Sequence, residues 1–166
     1  MSNIIGNISS QIIDRAVCQA LILKYDNELE HVTQGADNKS RNVFLKNINP
    51  NEISDLVSAL ESANKQFFNF QLIPKLECYF GKYSTDCHYS AHHADCIGGE
   101  DTQRKLSFSL ILNDDFEGGD LVFDEAVIKK EGTLIVFPSF LPHHVTPVTL
   151  GVRYSIFGFW RGPHWS

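Results

Sequence analysis

Closely spaced glycines and prolines divide the C-terminal half of the chain into short segments. The breaks fall at Gly98-Gly99, Gly118-Gly119, Gly132, Pro138, Pro142 and Gly151. Between them, as in residues 106–112 and 153–160, side chains follow the two-residue period of a β-strand. Strands this short, separated by turn residues, are typical of an antiparallel sandwich or jelly roll. The pattern therefore predicts an architecture in which residues far apart in sequence meet across a sheet.

The first seventy residues follow a helical period instead. One apolar-periodic run covers about residues 10–24, with Ser9-Ser10 as its cap, and a second covers residues 51–65, with Asn51 as its cap. Residues 43–45 are a short strand candidate. We therefore expect an α+β protein in which residues 1–72, mainly helical, pack on one sheet of a sandwich or jelly-roll core formed by residues 73–163. A length of 166 residues with 43% apolar content favours one domain, residues 1–166.

The overall charge limits the classes of partner. A formal net charge of −6 gives no electrostatic attraction to nucleic acid or to an anionic membrane, so a peptide, protein or small-molecule substrate is the expected partner. The four cysteines show no C-x-x-C spacing, and neither a signal-peptide pattern nor a long apolar span is present. We accordingly expect four free thiols and a cytoplasmic location.

Strand parity separates a core face from a ligand face. In residues 106–112, one face carries only large apolar side chains (Leu106, Phe108, Leu110 and Leu112), and we expect it to meet the helices. The opposite face carries Ser107, Ser109 and Ile111 and leaves room for a ligand. In the last strand, Arg153 shares its side with Ser155, Phe157 and Phe159. An inward-pointing guanidinium needs a partner that offsets its desolvation.

The residues His93 and Asp95 suggest a metal site. Two positions apart on a strand, their side chains leave the same face, and a later histidine on a neighbouring strand can complete a set of two histidines and one carboxylate. Such a set leaves the opposite face of a non-haem Fe(II) ion open. His143 and His144 are both candidates for the third position, and they point to opposite faces.

Several consecutive landmarks carry a family resemblance. They are Tyr83, Tyr89, His93-Ala94-Asp95, residues 104–113, residues 115–123, Phe137-Pro138-Ser139, His143-x-Val145-x-Pro147-Val148 and Gly151-x-Arg153-Tyr154-Ser155. In this order, from about Leu76 to Pro163, the chain resembles the 2-oxoglutarate/Fe(II) dioxygenases of the prolyl 4-hydroxylase type. The resemblance implies a double-stranded β-helix (jelly-roll) core.

The resemblance also implies the site residues. It selects His143 over His144, which gives His93, Asp95 and His143 as Fe(II) ligands. Arg153, Ser155 and Tyr83 would bind 2-oxoglutarate, and ascorbate is an optional further reductant. No side chain beyond the metal ligands is expected to act in catalysis. The family places a tyrosine three residues before the first ligand, whereas Tyr89 lies four residues before His93, and a one-residue bulge would reconcile the two.

The implied reaction is 2-oxoglutarate- and O2-dependent hydroxylation of a C–H bond, with succinate and CO2 as products. A prolyl residue in a peptide or protein is the first expectation for the substrate. A free amino acid or another small metabolite is the alternative. A non-oxidative, cupin-like metal-binding protein is the alternative of another class, but Arg153 and Ser155 argue against it because such a protein has no use for a guanidinium at that position.

Overall fold

The computed structural model describes residues 6–27, 29–34, 41–85, 87–124 and 129–165, and for residues 34, 41 and 89–93 it describes the backbone. The strands are β1 (Ile8–Gln11), β2 (Glu30–Gln34), β3 (Arg41–Asn47), β4 (Leu76–Tyr83), β5 (His88–His93), β6 (Arg104–Ile111), β7 (Glu117–Gly118), β8 (Leu121–Val122), β9 (Thr133–Pro138), β10 (His143–Val145), β11 (Val148–Leu150) and β12 (Arg153–Arg161). The helices are α1 (Arg15–Tyr25) and α2 (Leu56–Ala63), with 3-10 turns at Pro50–Glu52 and Gly99–Gln103 and a π-helical turn at Asn64–Phe68.

Among the described residues, most strands join one antiparallel network in the order β1-β9-β6-β12-β4-β3-β5-β10-β8, with β2 beside β3, and β11 pairs with β7 separately. Neighbours in this order are rarely neighbours in sequence. The network therefore brings β5 beside β10, as a jelly roll requires.

The main core lies between the helices and one face of β6. It contains Leu106, Phe108, Leu110 and Leu112 from that face, and α1 and α2 contribute Cys18, Leu21, Leu56 and Leu60. The predicted large face is therefore the core face. Ser107, Ser109 and Ile111 lie on the opposite side, with Ile111 in a second apolar cluster that includes Tyr83 and Phe137.

The N-terminal part contains less helix than the sequence predicted. Residues 8–11 form β1, which pairs with β9, and α1 begins only at Arg15, where Asp14 rather than a serine caps it by accepting from the amide of Val17 at 3.0 Å. The second helical run is also broken, because Asp55 has a positive φ of 63° and separates the 3-10 turn from α2. Strands β2 and β3 extend the sheet, and β3 confirms the strand candidate at residues 43–45.

All four cysteines are free thiols, as predicted. In the described part of the chain, none of the helices is long and apolar enough to cross a membrane.

Candidate active site

Asp95 and His143 meet in the interior of the sheet. The carboxylate oxygen Oδ2 of Asp95 lies 3.5 Å from Nε2 of His143, and the two residues are only 7% and 6% exposed. The parity argument assumed that Asp95 lies on the same strand as His93. In the structure β5 ends at His93, and Asp95 lies in the turn that follows. Its backbone N–H donates to the carbonyl of Ser139 at 2.7 Å, so a contact with the β9–β10 connection fixes its position.

The ring of His143 has a defined orientation. Its Nδ1 lies 2.9 Å from the carbonyl oxygen of Leu141, which can only accept, so Nδ1 carries a proton and Nε2 is the ring nitrogen directed toward Asp95. Phe137 packs edge-on against the imidazole at a centroid distance of 4.8 Å, and Phe123 lies at 5.8 Å. An imidazole Nε2 beside a carboxylate is a donor set that suits a divalent transition metal.

His93 pairs with His143 across the β5–β10 ladder, at directly opposed Cα positions. Its side chain lies outside the described residues, as does that of Tyr89. The next residues that pair across the two strands are Tyr89 and Val145. Tyr89 is four residues from His93 along β5, whereas Val145 is only two residues from His143 along β10. The irregularity predicted in this strand is therefore present, with two surplus residues instead of one.

A cavity of about 210 Å³ opens beside the Asp95–His143 pair. The residues that line it come mainly from β4, β6 and β12: Leu45, Tyr79, Tyr83, Asp95, Arg104, Ser107, Phe108, Ser109, Leu121, Phe137, His143, Val145, Arg153, Ser155, Phe157 and Phe159. The predicted ligand faces of β6 and β12 both contribute to it. The cavity thus connects the Asp95–His143 pair with the predicted cosubstrate residues.

Arg153 places a buried cation in this cavity. Only 3% of the residue is exposed, its Nη1 donates to Ser155 Oγ at 3.0 Å, and its guanidinium lies 4.9 Å from the centre of the Tyr83 ring. Burial lowers the pKa of the guanidinium, and the charges of Tyr83 and Asp120 oppose that shift. Among the described residues, no carboxylate lies within ion-pair distance of Arg153. The cation therefore suits an anionic ligand with two oxygens in one plane.

Gly119 allows this placement of Arg153. Its φ is +60°, and a Cβ there would lie 3.0 Å from Cδ of Arg153 and 3.0 Å from a methyl group of Val148. The sequence predicts a turn at the glycine pair, and in the structure the second glycine also makes room for the arginine side chain.

Two polar residues of the site were not assigned a role from the sequence. Arg104 lines the cavity, stacks its guanidinium 3.8 Å from the Phe159 ring centre, and donates to the carbonyl of Asp95 at 3.3 Å. Ser107 donates to the carboxylate of Asp95 at 2.6 Å. The parity of β6 placed Ser107 on the ligand face, but no local pattern revealed its hydrogen bond because the partner lies in another segment.

Comparisons with known proteins identify the family of this chain. The model of the 2OG-Fe(II) oxygenase superfamily matches residues 76–161. A "PKHD-type hydroxylase" of Synechococcus sp. (strain CC9311) is 30% identical over 170 residues, which cover 93% of this chain and 77% of the relative. For two other curated relatives with that name, the chain spans about half of their length, 53% in each case.

Solved structures share the fold. A prolyl-4-hydroxylase of Pseudomonas putida superposes with a TM-score of 0.71 at 22% identity, covering 95% of this chain and 93% of that one. A prolyl hydroxylase of Trichoplax adhaerens, in complex with a hypoxia inducible factor peptide fragment, gives 0.72 at 19% identity and covers 96% and 84%. These likenesses confirm the double-stranded β-helix. The chain belongs to the 2OG-Fe(II) oxygenase superfamily, the 2-oxoglutarate- and Fe(II)-dependent dioxygenases, and its relatives there include PKHD-type hydroxylases.

Proposed function

We propose that this protein hydroxylates a C–H bond of a substrate, with 2-oxoglutarate and O2 as cosubstrates and succinate and CO2 as products. The observation that carries the proposal is the cavity itself, which has a buried guanidinium among its lining residues and an imidazole–carboxylate pair beside it. A buried cation with no carboxylate partner in the described part of the chain is unfavourable unless a ligand supplies one.

At the metal end, His93, Asp95 and His143 would hold Fe(II). The bond from His143 Nδ1 to Leu141 directs Nε2 toward Asp95 before any metal arrives, so the protein need not reorganise the imidazole. The iron, when bound, supplies the activation of O2 and the decarboxylation chemistry. The chain's own contribution is to present the ligands and to exclude water, since both described ligands are more than nine-tenths buried.

At the other end, Arg153, Ser155 and Tyr83 would bind the distal carboxylate of 2-oxoglutarate. Ser155 accepts from Nη1 of the guanidinium and Tyr83 also hydrogen-bonds to it, and the remaining N–H donors suit two carboxylate oxygens. The Tyr83 ring lies against the guanidinium and limits its rotation. The cosubstrate would in this way be held in one orientation relative to the metal end.

For the substrate, we propose a prolyl residue in a peptide or protein. Support comes from the relatives, because one structural neighbour is a prolyl hydroxylase in complex with a peptide fragment and another is a prolyl-4-hydroxylase. The alternative of a free amino acid or small metabolite enters the experiment as a second substrate pool.

The test is a coupled measurement of succinate formation and O2 consumption with protein loaded anaerobically with Fe(II). We expect slow conversion of 2-oxoglutarate alone, a rate increase with a pool of proline-containing peptides, and a product that has gained one oxygen atom by mass spectrometry. Stimulation by the metabolite pool alone would replace the peptide assignment with the metabolite one.

The matched control is Asp95→Ala, which removes one proposed ligand and should abolish succinate formation. Failure of the native protein to consume O2 with 2-oxoglutarate, under either pool, would contradict the dioxygenase proposal. It would favour the cupin-like reading, in which the same pair of side chains binds a metal without oxidative chemistry.

A further inference from the structure

Two buried serines stand behind the carboxylate of Asp95. Ser107 and Ser139 are 1% and 0% exposed, Ser107 Oγ lies 2.6 Å from Asp95 Oδ2, and Ser139 Oγ lies 2.9 Å from Ser107 Oγ. An ionised carboxylate only accepts, and a serine hydroxyl has one proton to donate. Ser107 therefore donates to Asp95, and Ser139 donates to Ser107, so the direction of both bonds is fixed.

Ser139 also holds the main chain of Asp95. Its carbonyl accepts from the Asp95 N–H at 2.7 Å, and its own N–H donates to the carbonyl of Lys105 at 2.9 Å. Since Asp95 lies beyond the end of β5, the sheet ladder does not hold it. One residue of the β9–β10 connection thus fixes the backbone of Asp95 directly and its carboxylate through Ser107.

We infer that Ser107 is a positioning residue for the metal-binding carboxylate and that Ser139 orients Ser107, an inference that rests on the proposed function. The charged hydrogen bond from Ser107 sets the rotation of the carboxylate about Cβ–Cγ, so that the same oxygen, Oδ2, faces Nε2 of His143 at 3.5 Å. Without the hydroxyl, Asp95 keeps its backbone anchor but its carboxylate can rotate away. The two hydrogen bonds involve protein groups alone, so this orientation precedes metal binding.

The test is the affinity of the metal-free protein for Mn(II), a redox-stable probe, measured by the paramagnetic resonance of free Mn(II). Loss of a hydrogen-bond partner behind a metal ligand typically weakens metal affinity about 10–100-fold, and we expect a loss in that range for Ser107→Ala. Ser107→Thr keeps the hydroxyl and should recover most of the affinity. Thr133→Val deletes a buried hydroxyl of β9 that lies outside the cavity lining, and it should leave Mn(II) affinity unchanged.

A double-mutant comparison distinguishes this relay from general damage. Ser139→Ala should weaken Mn(II) binding in the native background but add nothing in the Ser107→Ala background, because Ser139 acts through Ser107. Thermal unfolding of the metal-free variants checks that each is folded. If Ser107→Ala does not fold, Ser139→Ala carries the test, and unchanged Mn(II) affinity in that variant overturns the inference.

Two further outcomes separate this inference from the proposed function. If Ser107→Ala binds Mn(II) within about a factor of two of the native affinity, the loss is far below the expected range. That result overturns the positioning role, provided that Asp95→Ala loses the metal. Unchanged Mn(II) affinity in Asp95→Ala would overturn both the positioning role and the metal site itself.

Discussion

Replacing Arg153 with leucine should remove most of the affinity for 2-oxoglutarate. Arg153 is only 3% exposed, so solvent screens its interaction with a bound carboxylate very little. Loss of one partner of a buried charge pair typically costs about 2–5 kcal/mol, which corresponds to roughly thirty-fold to several-thousand-fold in the dissociation constant. Much of that cost comes from the ligand carboxylate that is left buried without a partner.

The measurement is calorimetric titration of Mn(II)-loaded protein with 2-oxoglutarate under anaerobic conditions. Arg153→Lys keeps the charge but not the planar fork, so we expect it to recover only part of the affinity. Arg15→Leu is the matched control: it removes the same charge from a side chain that is 73% exposed and remote from the cavity. The fold should survive in Arg153→Leu, because replacing a buried charge with an apolar side chain is often neutral or stabilising.

A second ligand makes this prediction sharper. 2-Oxopentanoate keeps the metal-binding end of the cosubstrate but has a methyl group in place of the distal carboxylate. The native protein should strongly prefer 2-oxoglutarate, and Arg153→Leu should lose that preference. A dissociation constant for 2-oxoglutarate within about a factor of two of the native value, well below the loss of one charged hydrogen bond, would refute the role of Arg153.

Three other predictions concern the metal ligands, the glycine beside Arg153 and the thiols. His143→Ala should abolish Mn(II) binding and succinate formation, whereas His144→Ala should retain both. The reverse result would show that His144, and not His143, is the metal ligand. Gly119→Ala and Gly99→Ala both force alanine into a positive φ, of 60° and 51°, and each should cost about 1–2 kcal/mol of unfolding free energy. Only Gly119→Ala, whose Cβ would lie 3.0 Å from Arg153 Cδ, should weaken 2-oxoglutarate binding in the same titration, since nothing lies within 4 Å of a Cβ at Gly99. Burial raises the pKa of Cys18 to about 11, that of Cys78 to about 12, and also that of Cys96, but only Cys96 of these three is partly exposed. Iodoacetamide at pH 8 should therefore label Cys96 first, and rapid labelling of Cys78 in the native protein, read by peptide mass, would contradict its burial.

Alternation along single strands was sufficient to predict the two faces of β6 and β12. Leu106 and Phe108 lie in the helix-facing core, and Arg153 and Ser155 line the cavity, as the parity of their positions indicated. These predictions succeeded because both strands are central in the sheet and both of their faces are buried. Burial on a defined side is the property that an alternating sequence pattern reports.

The remaining features depend on contacts between distant segments. Three of the four residues of β1 are exposed, so residues 8–11 have no apolar period, and only the pairing with β9 makes them a strand. The position of Asp95 likewise depends on Ser107 and Ser139, which belong to β6 and to the β9–β10 connection. The pattern along one segment predicts the local structure of that segment, but it does not predict a hydrogen bond from a residue in a distant segment.

The sheet also explains how the fold tolerates a buried guanidinium. β12 pairs with β4 on one side and with β6 on the other, so it cannot tilt to expose Arg153. Its opposite face places Ile156 in the core, where full burial of such a side chain contributes about 1.5–3 kcal/mol. Across the ladder, Ser155 faces Gly81, where a Cβ would collide with the Phe157 ring at 2.9 Å. The space for a ligand therefore comes from small residues on one face of the sheet, and the other face supplies the packing that stabilises the fold. Substitutions on the cavity face can change which ligand is bound, while the core that holds β12 in place is unaffected.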